Sequence, residues 1–140
     1  MLQLCDERLS TQGGTMTSDP QTIDMRSFAL ASGVNLTFPA GATVFQEGDP
    51  VECMYVVQSG KIEILIHGKT IDTCQAGEAL GFMSVVDGRP RTSTARVAET
   101  ALLSAIDRRK FYFMVDEVPY FARYVMESMA HRIRGMRQVI

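Results

Sequence analysis

Apolar and polar positions alternate through the middle of the chain. In Lys61-Ile62-Glu63-Ile64-Leu65-Ile66, the residues Ile62, Ile64 and Ile66 share one face while Lys61 and Glu63 take the other, the pattern of a half-buried strand. His67-Gly68 then reads as a tight hairpin turn. Short runs rich in β-branched and aromatic residues recur from Val34 to Asp107, and they predict strands over 35–38, 43–45, 53–58, 61–66, 70–74, 92–97 and 101–106. Gly41, Gly48, Gly60, Gly68, Gly77 and Gly88 separate these runs at gaps of 7, 12, 8, 9 and 11 residues. That rhythm predicts a mainly β fold with flanking α-helices, a jelly roll or double-stranded β-helix. One stretch, 81–86, breaks the alternation and precedes Asp87-Gly88-Arg89-Pro90-Arg91. It predicts a short helix and loop inserted among the strands, and loops on a rigid scaffold often carry binding groups.

Helical spacing flanks the β-region. Thr22 or Asp24 can cap a short first helix carrying Met25, Phe28, Ala29 and Leu30, with Gly33 closing it. Asp107 can cap a helix over 108–115, and Pro119 suits the first turn of a longer one running to about 138. Within that last helix Met126, Met129, Ile133, Met136 and Ile140 follow a 3, 4, 3, 4 spacing, a heptad seam. Phe121 and Val125 extend the apolar surface upstream, so its early turns can pack on the chain's own core and its later turns on a partner. Residues 1–21 are polar, interrupted by Gly13, Gly14 and Pro20, and read as a disordered leader. The expected organisation is therefore a leader over 1–21 and one domain over 22–140, whose helix at about 118–138 dimerises.

Composition narrows the classes of function. A chain of 140 residues, 46% apolar, suits one domain with an ordinary core. A formal charge of -2 supplies no basic field for nucleic acid. Arg123, Arg132, Arg134 and Arg137 against Glu127 make only the last helix basic, which reads as a solvated face or a ligand or partner contact. No run approaches the ~20 apolar residues of a membrane span, and the first residues lack the order of a signal peptide, so a cytoplasmic protein is expected. Cys5, Cys53 and Cys74 form no CxxC pair, and His67 and His131 belong to no ligand-spaced cluster, so no metal site is expected. With no GxSxG elbow either, a non-catalytic protein without a cofactor is expected.

The residues around the inserted helix suggest an anion site. The free N–H groups and positive dipole end of a helix starting near Gly81 can face a negative ligand. Arg91 can add a charge-assisted hydrogen bond and Thr92 a neutral one.

Longer runs sharpen this reading. The segment Phe38-Pro39-Ala40-Gly41-Ala42-Thr43-Val44-Phe45-Gln46-Glu47-Gly48-Asp49-Pro50, followed by Met54-Tyr55-Val56-Val57-Gln58-Ser59-Gly60-Lys61-Ile62, resembles the opening of a cyclic nucleotide-binding domain. Gly77-Glu78-Ala79-Leu80-Gly81-Phe82-Met83-Ser84-Val85-Val86, with Arg89-Pro90-Arg91-Thr92-Ser93-Thr94-Ala95, resembles that family's phosphate-binding cassette. The likeness spans roughly 34–138 and is similar to the sensor half of the catabolite activator and nitrate-reductase regulator superfamily. The resemblance implies that Arg91 pairs with a cyclic phosphate, that Thr92 assists, and that Gly81, Met83 and Ser84 lie beside the ligand. It also implies that the final helix, with Met136 and Arg137, covers the base and dimerises.

One position departs from the family pattern. Where the family's cassette carries a Glu that accepts a hydrogen bond from the ribose 2′-hydroxyl, this chain has Phe82. Losing that bond costs about 1.5–3 kcal/mol, and Glu78, four positions earlier, is not spaced to replace it. Two functions follow as expectations. One is a ligand sensor taking cyclic AMP, cyclic GMP or a similar small anion weakly. The other is a degenerate, ligand-free interaction module in which Phe82 plugs the ribose space. Either is expected to be a homodimer that signals through an unidentified protein partner, because no DNA-binding domain follows the last helix before Ile140.

Overall fold

A computed structural model of the protein describes residues 25–139, with side chains through Arg134. Its elements are α1 (Arg26–Ser32), β1 (Val34–Phe38), β2 (Thr43–Phe45), β3 (Cys53–Ile66), β4 (Lys69–Gln75), β5 (Ala79–Leu80), α2 (Phe82–Asp87), β6 (Thr94–Asp107), α3 (Arg108–Glu117) and α4 (Pro119–Val139). They fall into two compact units, one ending at Tyr112 and the other beginning at Phe113. In the first unit every strand pair is antiparallel, in the order β1-β6-β3-β4, with β2 also on β6 and β5 also on β3. This is the mainly β, jelly-roll class with flanking helices. The core of this unit is built from inward positions of the strands, among them Phe45, Val57, Ile62, Leu80, Val97 and Leu103.

Two predicted breaks are continuous strands. The segments 53–58 and 61–66 merge into β3, and 92–97 and 101–106 merge into β6, which begins at Thr94 rather than Thr92. Gly60 makes the merger feasible. Its φ is +93°, and a Cβ there would lie 2.6 Å from Ala101 Cα on β6, so the two long strands bend together where only glycine fits. The register shifts between Val57 and Ile62 mark the bend. A second shift, between Ile64 and Leu65, changes the predicted facing. Ile62 and Ile64 are buried as expected, but Leu65 is buried in place of Ile66 because the irregularity resets the two-residue period. The β3–β4 turn is the expected hairpin: His67 and Gly68 both have positive φ, 52° and 79°, as a type I′ turn requires.

The helix ends differ in part from expectation. The N-cap of α1 is Met25, with no side-chain cap, and Thr22 and Asp24 lie outside the described residues. Gly33 does close α1, donating its N–H to Ala29 O, but in extended backbone. Its glycine identity serves close approach instead, since a Cβ would sit 2.7 Å from Ala105 O. Ser104 of β6 joins a polar chain at this end of the unit: its hydroxyl donates to Asn35 Oδ1 (2.7 Å) and accepts from Gln58 Nε2 (3.0 Å), while Gln58 Nε2 also donates to Arg26 O (2.7 Å). Asp107 caps α3 as expected, its Oδ1 accepting from Lys110 N–H at 2.7 Å. In α4, opened by Pro119, Phe121 and Val125 are buried whereas Met126 and Ile133 are 61% and 51% exposed. The side chains of Met136, Arg137 and Ile140 and the leader 1–21 lie outside the described residues. No helix among the described residues is long and apolar enough to cross a membrane.

Candidate functional site

The inserted helix is real and short. β5 delivers the chain to Gly81, whose φ of 78° turns it sharply into α2, and Gly88 at φ 72° ends α2 with its N–H on Ser84 O. The chain then returns through Arg89 and Pro90 to Arg91. Two backbone bonds fix Arg91 against the loop after β2: its N–H donates to Asp49 O at 2.9 Å, and its carbonyl accepts from Gly48 N–H at 2.8 Å. Three residues on, Thr94 Oγ1 accepts from Glu47 N–H at 3.1 Å. The cassette is thus tied to the β2–β3 loop on both sides of Arg91.

The Arg91 side chain runs inward and is only 5% exposed. Nη1 donates to Gly81 O at 2.6 Å, and Nη2 donates to Cys53 O. Cζ lies 4.1 Å from the ring centroid of Phe45, which in turn stacks on Tyr55 at 6.2 Å and 21°. Nε is buried and has no hydrogen-bond partner. Among the described residues no carboxylate pairs with this guanidinium; ion pairs such as Lys61–Glu99 and Arg96–Glu63 lie elsewhere. Burial pushes its pKa below the ordinary arginine value, while Cys53, Tyr55, Asp49 and Glu52 act the other way. Burial likewise raises the pKa of the Tyr55 hydroxyl and of the Cys53 thiol, so neither supplies a countercharge at neutral pH. The site is a buried guanidinium with no paired carboxylate among the described residues and with no acceptor at Nε.

The predicted site residues occupy different situations around it. Gly81 and Arg91 are in direct contact. Ser84 is buried, its hydroxyl reaching Pro90 O only at 3.5 Å. Met83 is 44% exposed and Thr92 is exposed. Phe82 is 1% exposed, sealed in the apolar interior. Glu78 accepts from Gln75 N–H at 2.7 Å, committing its carboxylate to the β4–β5 turn. Met136 and Arg137 lie beyond the described side chains. Sequence reasoning missed Phe45, Tyr55 and the Cys53 carbonyl. The alternation of β2 marks Phe45 as inward, but nothing local says that an arginine 46 positions later covers its ring.

Residues 35–117 match the family described as Cyclic nucleotide-binding domain. The cyclic AMP receptor protein of Thermus thermophilus is 28% identical over 120 residues, covering 82% of this chain and 54% of that protein. The crystal structure of the Thermus thermophilus catabolite activator protein superposes with a TM-score of 0.71 at 26% identity, covering 80% of this chain and 55% of the other. A cyclic nucleotide-binding domain from Methylobacillus flagellatus shares the fold, with a TM-score of 0.69 at 20% identity over 81% of this chain and 68% of that one. The chain spans about half the length of the curated relatives it matches.

Proposed function

The chain belongs to the cyclic nucleotide-binding domain family, and we propose that it is a non-catalytic regulatory module that binds cyclic AMP, cyclic GMP or a similar small anion at Arg91. One observation carries this reading: the Arg91 guanidinium is buried with no carboxylate paired to it among the described residues, and its Nε has no acceptor. A buried cation is costly unless something pairs with it. An oxyanion at Nε supplies both the missing charge and the missing acceptor. The backbone N–H groups of Met83 and Ser84, at the start of α2, and the hydroxyls of Ser84 and Thr92 complete the phosphate side. No cofactor is required.

Phe82 limits the ribose side. With no acceptor at this position, the ribose hydroxyl of a cyclic nucleotide goes unpaired, and binding is weak. The burial of Phe82 favours a second reading in its own right, a ligand-free interaction module in which the ring fills the ribose space. In both readings the exposed Met126 and Ile133 on α4 serve a homodimer seam, and the signal passes to a protein partner.

Thermal melts with and without millimolar cyclic AMP or cyclic GMP separate the two readings. A ligand at 100 times its dissociation constant adds about 2.7 kcal/mol of stability. An upward shift that disappears in Arg91→Ala supports the sensor. A melt unmoved by either nucleotide supports the plug.

A further inference from the structure

Arg91 is held on three sides. Two backbone carbonyls, of Gly81 and Cys53, take its outer nitrogens, and the face of its guanidinium rests on the Phe45 ring, 4.1 Å from Cζ to centroid. Phe45 is itself fixed: it is 7% exposed, backed by Tyr55, and opposite the small Ala95 on β6. The remaining edge, Nε, is buried and unpartnered. A flexible side chain that must offer one edge to an anion needs its plane set, and two bonds to the outer nitrogens leave rotation about the line joining them. The ring removes that freedom, attracting the cation through its quadrupole, and does so more strongly where water is excluded.

We infer that Phe45 is the positioning residue of the anion site: it sets the plane of the Arg91 guanidinium so that an oxyanion is met through the Nε edge. The inference rests on the anion-binding reading of Arg91, but the hold of the ring on the guanidinium is measurable with no ligand present. Phe45 touches the arginine, not the anion, and therefore acts through it.

The test is a series in which the ring of Phe45 alone is replaced by mono-, di- and trifluorophenylalanine in the full chain, which preserves shape while draining the negative face of the ring. Two readouts are taken: rotation of the Arg91 guanidinium by nitrogen NMR, assigned by its loss in Arg91→Lys, and calorimetric titration with cyclic AMP. Rotation is expected to quicken with each fluorine while affinity falls in steps, about tenfold across the series, or about 1.4 kcal/mol. Phe45→Tyr retains both properties and Phe45→Leu loses both; a misfolded Phe45→Leu leaves the fluorinated series to decide. Unchanged rotation overturns the inference. Quickened rotation with unchanged affinity overturns it as well, because the hold on Arg91 then does not serve the anion. If the parent binds neither cyclic AMP nor cyclic GMP, the cyclic-nucleotide reading fails, and the same series titrated with inorganic phosphate decides the role of Phe45.

Discussion

Gly81 and Arg91 approach so closely that a Cβ on residue 81 would lie 2.8 Å from Arg91 Nη1, and 3.2 Å from the Phe45 ring on the same side. The φ of 78° at Gly81 already lies where L side chains are strained. Gly81→Ala is therefore expected to lower stability by about 1–3 kcal/mol, read from a denaturant melt, and to displace the guanidinium from its carbonyl. A melt superimposable on the parent's indicates that Arg91 yields without cost.

Arg91→Ala removes the cation and leaves the carbonyls of Gly81 and Cys53 without this donor. Cyclic AMP affinity is expected to fall by roughly tenfold to a hundredfold or more, the scale of a lost charged hydrogen bond. Calorimetry returning equal affinities for variant and parent takes Arg91 out of the site.

Phe82→Glu places a carboxylate where a ring is 1% exposed. The expected result is a trade: stability drops by about 3 kcal/mol or more, the scale of losing a buried aromatic side chain, while cyclic nucleotide affinity rises by roughly one to two powers of ten. A lower melting temperature with no gain in nucleotide binding identifies Phe82 as a plug.

Ile133, 51% exposed on α4, shares the heptad spacing of Met126 and Met129 that would form the proposed seam. In sedimentation at high micromolar concentration the parent is expected at dimer mass and Ile133→Glu at monomer mass. An identical mass for both proteins refutes this seam.

Ser104 is fully buried and joins Asn35 to Gln58. Ser104→Ala removes the hydroxyl that joins them, while Gln58 Nε2 keeps Arg26 O and Asn35 stays open to water, so the expected cost in a chemical melt is that of ordinary hydrogen bonds, about 0.5–1.5 kcal/mol. A cost below about 0.5 kcal/mol indicates that Asn35 and Gln58 re-pair with each other.

Much of the architecture is legible in local chemistry. Alternation locates the strands, the His67-Gly68 pair specifies its turn through two positive φ values, and Asp107 announces the start of α3. These features succeed because each depends on neighbours within a few residues. The errors share the opposite cause. A glycine between two alternating runs looks like a break, yet Gly60 lets β3 pass close to β6 without interruption. Gly33 does close α1, but what demands a glycine there is the approach of Ala105 O, over seventy positions away.

The candidate site divides along the same line. The sequence by itself determined that a short helix opens near Gly81, that an arginine follows it ten positions on, and that position 82 carries a ring. Only the tertiary structure decided where the Arg91 side chain lies: its guanidinium turns inward, takes the carbonyls of Gly81 and Cys53, and rests on Phe45. Those partners come from three separate elements, brought together by long-range antiparallel pairing and core burial. The charge of Arg91 belongs to the residue, but its burial, its plane and its unpaired Nε belong to the fold.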